Sequence, residues 1–416
     1  MLSKDKKLEK GVTRMAYKKE ITFLIKVMNG GGAERVISIL SRALAGKGYA
    51  VTLILTHQKM KDAYLKDMDD RVHVLSLEDQ TESLSKLSFG ANMRMLYARV
   101  LGKASKLFRD KELELSLINK YYARNYTKIM WLKDYFKRHD SSTVIAFLYD
   151  TIFLTLLSIR PSNKLIISER GDPQQSMGSK TTMAFLRRAF PKADHIVFQS
   201  PDVQRWYLDN MQIEGQVIFN PVKSNLPERF VGERKRRIVN FCRISTQKNL
   251  ELLITAFNRL QKDYPQYELF IYGNAVGNGA EGYLEHIKTC IEETGCMNQI
   301  HLLSGKSNIH EEIRDYAMFV SSSDFEGMSN SMLESMATGL PTICTDCPAG
   351  GARAVIRDHE NGILVPVRDA ERMYLAMKEL IENPALAEKL SENGSNIRNV
   401  LSVENIIEKW MEIIND

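Results

Sequence analysis

Two carboxylates and two cations, carried on two short segments of the chain, could together hold a phosphorylated sugar. Glu326 and Glu334 stand with seven residues between them in the run Asp324-Phe325-Glu326-Gly327-Met328-Ser329-Asn330-Ser331-Met332-Leu333-Glu334, and Arg243 precedes Lys248 by five positions. Carboxylates are poor ligands for phosphate but good acceptors for vicinal hydroxyls, as on a ribose or a hexose. Arg offers a bidentate fork and Lys a mobile point charge, which suits negative charge that grows as a bond from sugar to phosphate breaks. Taken alone, the glutamates also fit a solvated helix face and a loop, and the cations an exposed loop.

The pattern around these residues supplies the elements that must position them. Residues 318–321 read as a strand running into a turn at Gly327, with a helix beginning near Ser329 or Asn330. The free N–H groups and positive dipole end of that helix form an anion site. Glu326 then lies in the loop before the helix and Glu334 about a turn inside it, on either side of a bound phosphate. Arg243 and Lys248 follow a strand over 238–242 and precede a helix over 250–260. Further strands are expected at 267–272, 300–303, 342–344 and 363–365, alternating with helices at 283–293, 329–338 and 369–382.

The first half repeats this style. A strand over 21–28 ends at Gly30, Gly31 and Gly32, a helical pattern covers 36–44, and a strand resumes over 51–55: a βαβ unit, hence a parallel sheet. More strands are expected at 72–75, 144–148, 164–168 and 195–199. Two wound α/β halves imply a cleft where the carboxyl ends of both sheets meet. The expected organisation is a basic tail (1–20), a first domain (21–221) holding a basic helical insertion (85–140), a linker (222–237), a second domain (238–401) and a C-terminal helix (402–416) crossing back to the first.

Composition agrees with two globular domains. At 416 residues, 44% apolar and 26% charged, the chain exceeds what one core usually organises and lacks the bias of disordered or fibrous proteins. Its net charge of +6 is uneven: residues 86–139 carry +9 and nine aromatics, leaving the remainder slightly acidic. That mixture suits an anionic membrane surface, or a helical insertion with its aromatics packed inward. No nucleic-acid motif accompanies it, so nucleic acid is not an expected partner. Five Cys do not make a disulfide framework, the first twenty residues hold no apolar leader stretch, and no window is long and apolar enough to span a bilayer. A cytoplasmic protein, peripheral at the inner face of the membrane, is expected.

The motifs also resemble a known family. Glu326 and Glu334, within Phe325-Glu326-Gly327 and Glu334-Ser335-Met336-Ala337-Thr338-Gly339-Leu340-Pro341 and preceded by Arg243 and Lys248, resemble the retaining glycosyltransferases of family 4, which have the two-domain GT-B fold. Gly30-Gly31-Gly32-Ala33-Glu34-Arg35-Val36, Glu169-Arg170-Gly171-Asp172-Pro173, Asn220-Pro221 and Cys347-Pro348-Ala349-Gly350-Gly351 resemble it too, in the expected order, over roughly residues 20–400. The departures are Cys242, where the family commonly has Gly, and Gly171, where related sequences often have Asn.

The resemblance implies that the second domain binds a nucleoside-diphosphate sugar, with UDP the expected nucleotide. Glu334 would take the ribose hydroxyls, Glu326 the donor sugar, and Arg243 and Lys248 the phosphates. Gly327 and the backbone N–H groups of Met328, Ser329 and Asn330 would complete the donor site, and Gly30, Gly31 and Gly32 would form the acceptor-side loop. The acceptor would be a cell-surface or lipid-linked glycan. No metal and no cofactor beyond the co-substrate are expected. Among competing readings, Gly30 and Gly32 after a strand superficially match a dinucleotide fingerprint, but Arg35 replaces its third Gly and Thr56-His57-Gln58 offers no ribose-binding acid. A non-catalytic GT-B scaffold subunit would not need all four charged residues. Cys344-Thr345-Asp346-Cys347 reads as part of a strand end and not as a redox or zinc motif.

Overall fold

The computed structural model describes residues 18–66, 68–82, 121–176, 186, 187, 190–277 and 279–416. Most of the basic tail and most of the insertion at 85–140, including Lys103, Lys106, Arg109 and Lys111, lie outside the described residues. Within them the chain forms two all-parallel sheets. The first holds seven strands in the order β3-β2-β1-β4-β5-β6-β7: β1 Glu20–Ile25, β2 Ala50–Leu55, β3 His73–Ser76, β4 Thr143–Phe147, β5 Lys164–Ser168, β6 His195–Phe198 and β7 Gln216–Val217. The second holds six in the order β10-β9-β8-β11-β12-β13: β8 Lys235–Phe241, β9 Glu268–Tyr272, β10 Ile300–Leu303, β11 Tyr316–Ser321, β12 Thr342–Thr345 and β13 Ile363–Val365. These are two Rossmann-like domains of the GT-B fold.

The central strands are apolar on both faces because helices cover each side. Along β1, Ile21, Phe23 and Ile25 join one core and Leu24 the opposite one, and Ile145 and Phe147 of β4 alternate with Val144 and Ala146 in the same way. The core under Phe23 runs on into the second domain through Phe241, Phe319 and Met332, so apolar packing is continuous across the two sheets. Helix α1 (Gly32–Gly46) leaves the end of β1, and helix α2 (Asn330–Ala337) begins nine residues after β11 ends.

The C-terminal helix α3 (Val403–Asn415) lies on the first domain. Trp410 stacks on Phe147 at 6.0 Å between ring centroids, and the Arg170 guanidinium covers both rings at 5.4 and 5.5 Å. The backbone N–H of Val222 donates to the Leu401 carbonyl at 2.8 Å, and Lys19 Nζ to that of Ile414 at 3.2 Å.

One element departs from the sequence reading. The charged run at 233–237, expected as linker, is partly the first turn of the central ladder, since β8 begins at Lys235. The charges there are used, not merely solvated. Lys235 pairs with Asp315 at 2.8 Å, and the Arg237 guanidinium lies 4.9 Å from the Phe270 ring centroid. Half-buried Arg234 donates to the Gly339 and Tyr316 carbonyls at 2.7 and 3.1 Å, with burial lowering its pKa to about 10. A charge run marks a linker only when nothing nearby accepts from it.

Candidate active site

The carboxyl ends of the two sheets face one another, and the loops leaving β1, β5, β6, β8 and β11 meet there. The loop after β11 is tied to the turn after β8 by a set of short bonds. Asp324 N donates to the Gln247 carbonyl at 3.0 Å, Ser322 Oγ to the Lys248 carbonyl at 2.9 Å, and Gln247 Nε2 to the Phe325 carbonyl at 2.8 Å and to Glu326 Oε2 at 3.2 Å. This stitching brings Lys248 Nζ into an ion pair with Glu326, which also accepts from Ser323 Oγ at 3.4 Å. Burial disfavours the Lys248 ammonium, but the Glu326 charge and hydrogen bond outweigh it and leave its pKa raised. Arg243, five residues back, is exposed and makes no hydrogen bond or ion pair among the described residues.

Helix α2 is capped as its sequence implies: Ser329 is the N-cap, its Oγ accepting from Met332 N at 3.4 Å. Asn330, the first helical residue, bridges the domains. Its Nδ2 donates to the Gly32 carbonyl at the start of α1 at 3.0 Å, and its Oδ1 accepts from Asn220 Nδ2 at 2.9 Å. Asn220 Nδ2 also reaches the Met328 carbonyl at 3.2 Å, and its Oδ1 accepts from Arg170 Nη1 at 3.1 Å. The N-termini of α1 and α2 therefore converge, a paired positive end suited to a multiply charged anion. At α1 the glycine loop is held by Glu34, whose Oε2 accepts from the backbone N–H groups of Asn29 and Gly31, both at 2.6 Å. Gly30 there has φ +82°, which favours glycine.

Glu334 stands apart from Glu326. Its side chain is 3% exposed and accepts from Arg35 Nη1 at 2.7 and 2.9 Å and from His310 Nε2 at 2.9 Å, with Lys223 Nζ at 3.9 Å. Burial alone would raise this carboxyl's pKa, yet Arg35, His310 and Lys223 together bring it down to about 2. Glu326 is thus paired by Lys248 of its own domain, and Glu334 by Arg35 from the first domain with Lys223 close by.

The loops pack with no spare volume at two glycines. A Cβ on Gly351 would sit 1.6 Å from the Gly327 carbonyl oxygen, and one on Gly327 would meet Gln199 Nε2 at 1.5 Å and the Arg170 carbonyl at 2.9 Å. Gly351→Ala meets backbone, so the loop carrying Glu326 must shift. It is expected to cost about 1–3 kcal/mol and to weaken binding of a nucleotide ligand. Gly282→Ala, a helical position where a Cβ meets nothing within 4 Å, is expected to stabilise by up to about 1 kcal/mol. Thermal melts and ligand titrations of both variants check this, and an unshifted Gly351→Ala variant would contradict it.

Among the sequence-nominated residues, the structure joins Lys248 with Glu326, and Gly32 with Asn330, and places Gly327, Met328 and Ser329 in the loop between the glutamates. Arg35, His310, Lys223 and Asn220 were not assigned roles from sequence. Arg35 and Asn220 lie inside quoted motifs, but the partner of Arg35 is 299 positions away and no spacing rule reaches it. The thiols of Cys344 and Cys347 are buried and free, with burial pushing both pKa values up, that of Cys347 to about 12, so neither is poised as a nucleophile.

The chain is similar to known proteins over both domains. Residues 30–226 match the model of Glycosyltransferase Family 4 and residues 224–397 that of Glycosyl transferases group 1. A poly(glycerol-phosphate) alpha-glucosyltransferase of Bacillus subtilis is 28% identical over 185 residues, which is 44% of this chain but only 26% of that protein's length. An N-acetylgalactosamine-N,N'-diacetylbacillosaminyl-diphospho-undecaprenol 4-alpha-N-acetylgalactosaminyltransferase of Campylobacter jejuni is 25% identical over 383 residues, 88% of this chain and 91% of that one. The crystal structure of Anabaena Alr3699/HepE in complex with UDP-glucose aligns over 95% of this chain and 99% of its own, at 15% identity and a TM-score of 0.73. With the two family matches running end to end from residue 30 to residue 397 across both Rossmann-like domains, the chain belongs to the family 4 glycosyltransferases.

Proposed function

We propose that the protein transfers a sugar from a nucleoside-diphosphate sugar, UDP-linked, to a hydroxyl of a lipid-linked or cell-surface glycan, with retention of anomeric configuration. The observation that carries this reading is the meeting of the Lys248–Glu326 pair and the capped N-terminus of α2 with the glycine loop of α1. In this reading Glu334 accepts the ribose hydroxyls and Glu326 those of the donor sugar. Arg243, Lys248 and the N–H groups at 328–330 stabilise charge on the departing diphosphate. The acceptor hydroxyl attacks from the face the diphosphate leaves, and a donor phosphate oxygen takes its proton. The reading requires no enzyme nucleophile and no metal.

The undecaprenol-linked substrate in the Campylobacter relative's name and the UDP-glucose held by the Anabaena protein support the acceptor and donor classes. Among the described residues no helix is long and apolar enough to cross a membrane. Residues 86–139, with their +9 charge, would hold the enzyme peripherally at an anionic cytoplasmic face. A thermal-shift screen against UDP, GDP, ADP and their sugar conjugates tests the donor assignment. The true nucleotide at about 100 times its Kd should stabilise by roughly 2.7 kcal/mol, and no shift with any of them would contradict the reading.

A further inference from the structure

The Glu334 carboxylate is already taken in this structure. Its two oxygens offer about four lone-pair directions, and Arg35 Nη1 and His310 Nε2 claim three short bonds among them. A ribose diol that donates to Glu334 must therefore take the place of Arg35, the one of its three partners Arg35, Lys223 and His310 that comes from the first domain's α1. That exchange is unfavourable by itself, because two neutral hydroxyls replace a charge-assisted contact and leave a guanidinium without its counter-charge. An anion arriving with the ribose removes the penalty.

The geometry supplies one place for that anion. Arg35 is on the first turn of α1, one turn from Gly32, whose carbonyl is bonded to Asn330 at the first residue of α2. Its stem thus springs from the point where the two helix N-termini converge, the region assigned to the donor diphosphate. Arg35 is 36% exposed along its side chain, so it reaches Glu334 from the open side of a carboxylate that is itself buried. Its neighbour Glu34 is already engaged, its Oε2 accepting from two backbone N–H groups of the glycine loop.

We propose that Arg35 is a specificity residue that Glu334 gives up to the diphosphate of the incoming donor, so that the site accepts nucleoside diphosphates and rejects free nucleosides. This rests on the donor reading above. Ribose pushes Arg35 off the carboxylate and diphosphate draws it away, which makes the two halves of one ligand cooperative through a single side chain. A cation that only braced the domains would affect both ligands alike.

Calorimetric titration of the full chain with matched pairs, uridine and UDP first, then guanosine with GDP and adenosine with ADP, separates these cases. In Arg35→Gln the nucleoside should bind several-fold tighter and the diphosphate several-fold weaker, narrowing their affinity ratio by about tenfold or more, within the span of ordinary coupling. Arg35→Lys, which keeps the charge, should retain most of the wild-type ratio. If Arg35→Gln changes nucleoside and diphosphate affinities by the same factor, the proposal fails while the donor reading stands. If the wild-type chain binds none of the diphosphates, the donor reading fails and the proposal with it.

Discussion

Lys248→Ala is expected to lower turnover by about 10²-fold or more, the scale for losing one preorganised contact to charge developing in a transition state. The structure adds a condition to this expectation. Lys248 is 11% exposed along its side chain and is ion-paired with Glu326, which is 21% exposed, so removing the lysine also leaves Glu326 without its counter-charge. Part of the loss then arises through Glu326, and the two residues cannot be additive. The double variant Lys248→Ala/Glu326→Ala should fall short of the product of the single effects by a factor of several. Steady-state kinetics on donor and acceptor, with melts to show that folding survives, check this. Unaltered turnover in Lys248→Ala would remove it from the reaction.

Glu334→Ala and Glu326→Ala are expected to differ in which ligand they lose. The ribose is present in the free nucleoside diphosphate, so Glu334→Ala should weaken binding of that nucleotide, by about 10²-fold if two hydrogen bonds to a charged acceptor go at roughly 1.5 kcal/mol each. Glu326→Ala should leave free-nucleotide affinity near the wild-type value and weaken or slow only the intact sugar donor. Glu334→Ala should also destabilise the fold by up to about 3 kcal/mol, because it removes the buried anion that Arg35 and Lys223 face and leaves His310 Nε2 without its partner. Glu334→Gln, which keeps the shape and one acceptor oxygen, should lose less of both. Equal loss of free-nucleotide affinity in the two alanine variants would end the proposed division of roles.

Much of this architecture was legible because a parallel sheet writes itself into sequence. Strands buried on both faces appear as short apolar runs such as 164–168 and 144–148, and the structure places β5 at the first and β4, one residue earlier, at the second. Ser329 as a cap and Gly327 in the turn before it follow from local chemistry alone. What stayed hidden was set by long-range partners. β7 is two residues long, too short for any pattern, and Arg234 and Lys235 found acceptors at Gly339 and Asp315, far along the chain. Arg35 looked like an interruption of a glycine fingerprint until α1 and α2 were brought together, and His310 looked like one of eight scattered histidines. The basic insertion, for which membrane contact was expected, lies mostly outside the described residues, and liposome binding remains its test.

The most direct measurement of the central claim is proton NMR of the anomeric region while the purified protein consumes α-linked UDP-sugars in the presence of lipid-linked or polyol-phosphate acceptors. Our account predicts release of UDP coupled to a new anomeric signal with the small coupling constant of an α-linkage, and loss of both in the Lys248→Ala protein. A first-formed product with β configuration would contradict the retaining mechanism, and consumption of no UDP-, GDP- or ADP-linked sugar with any of these acceptors would contradict the assignment of a nucleoside-diphosphate sugar donor.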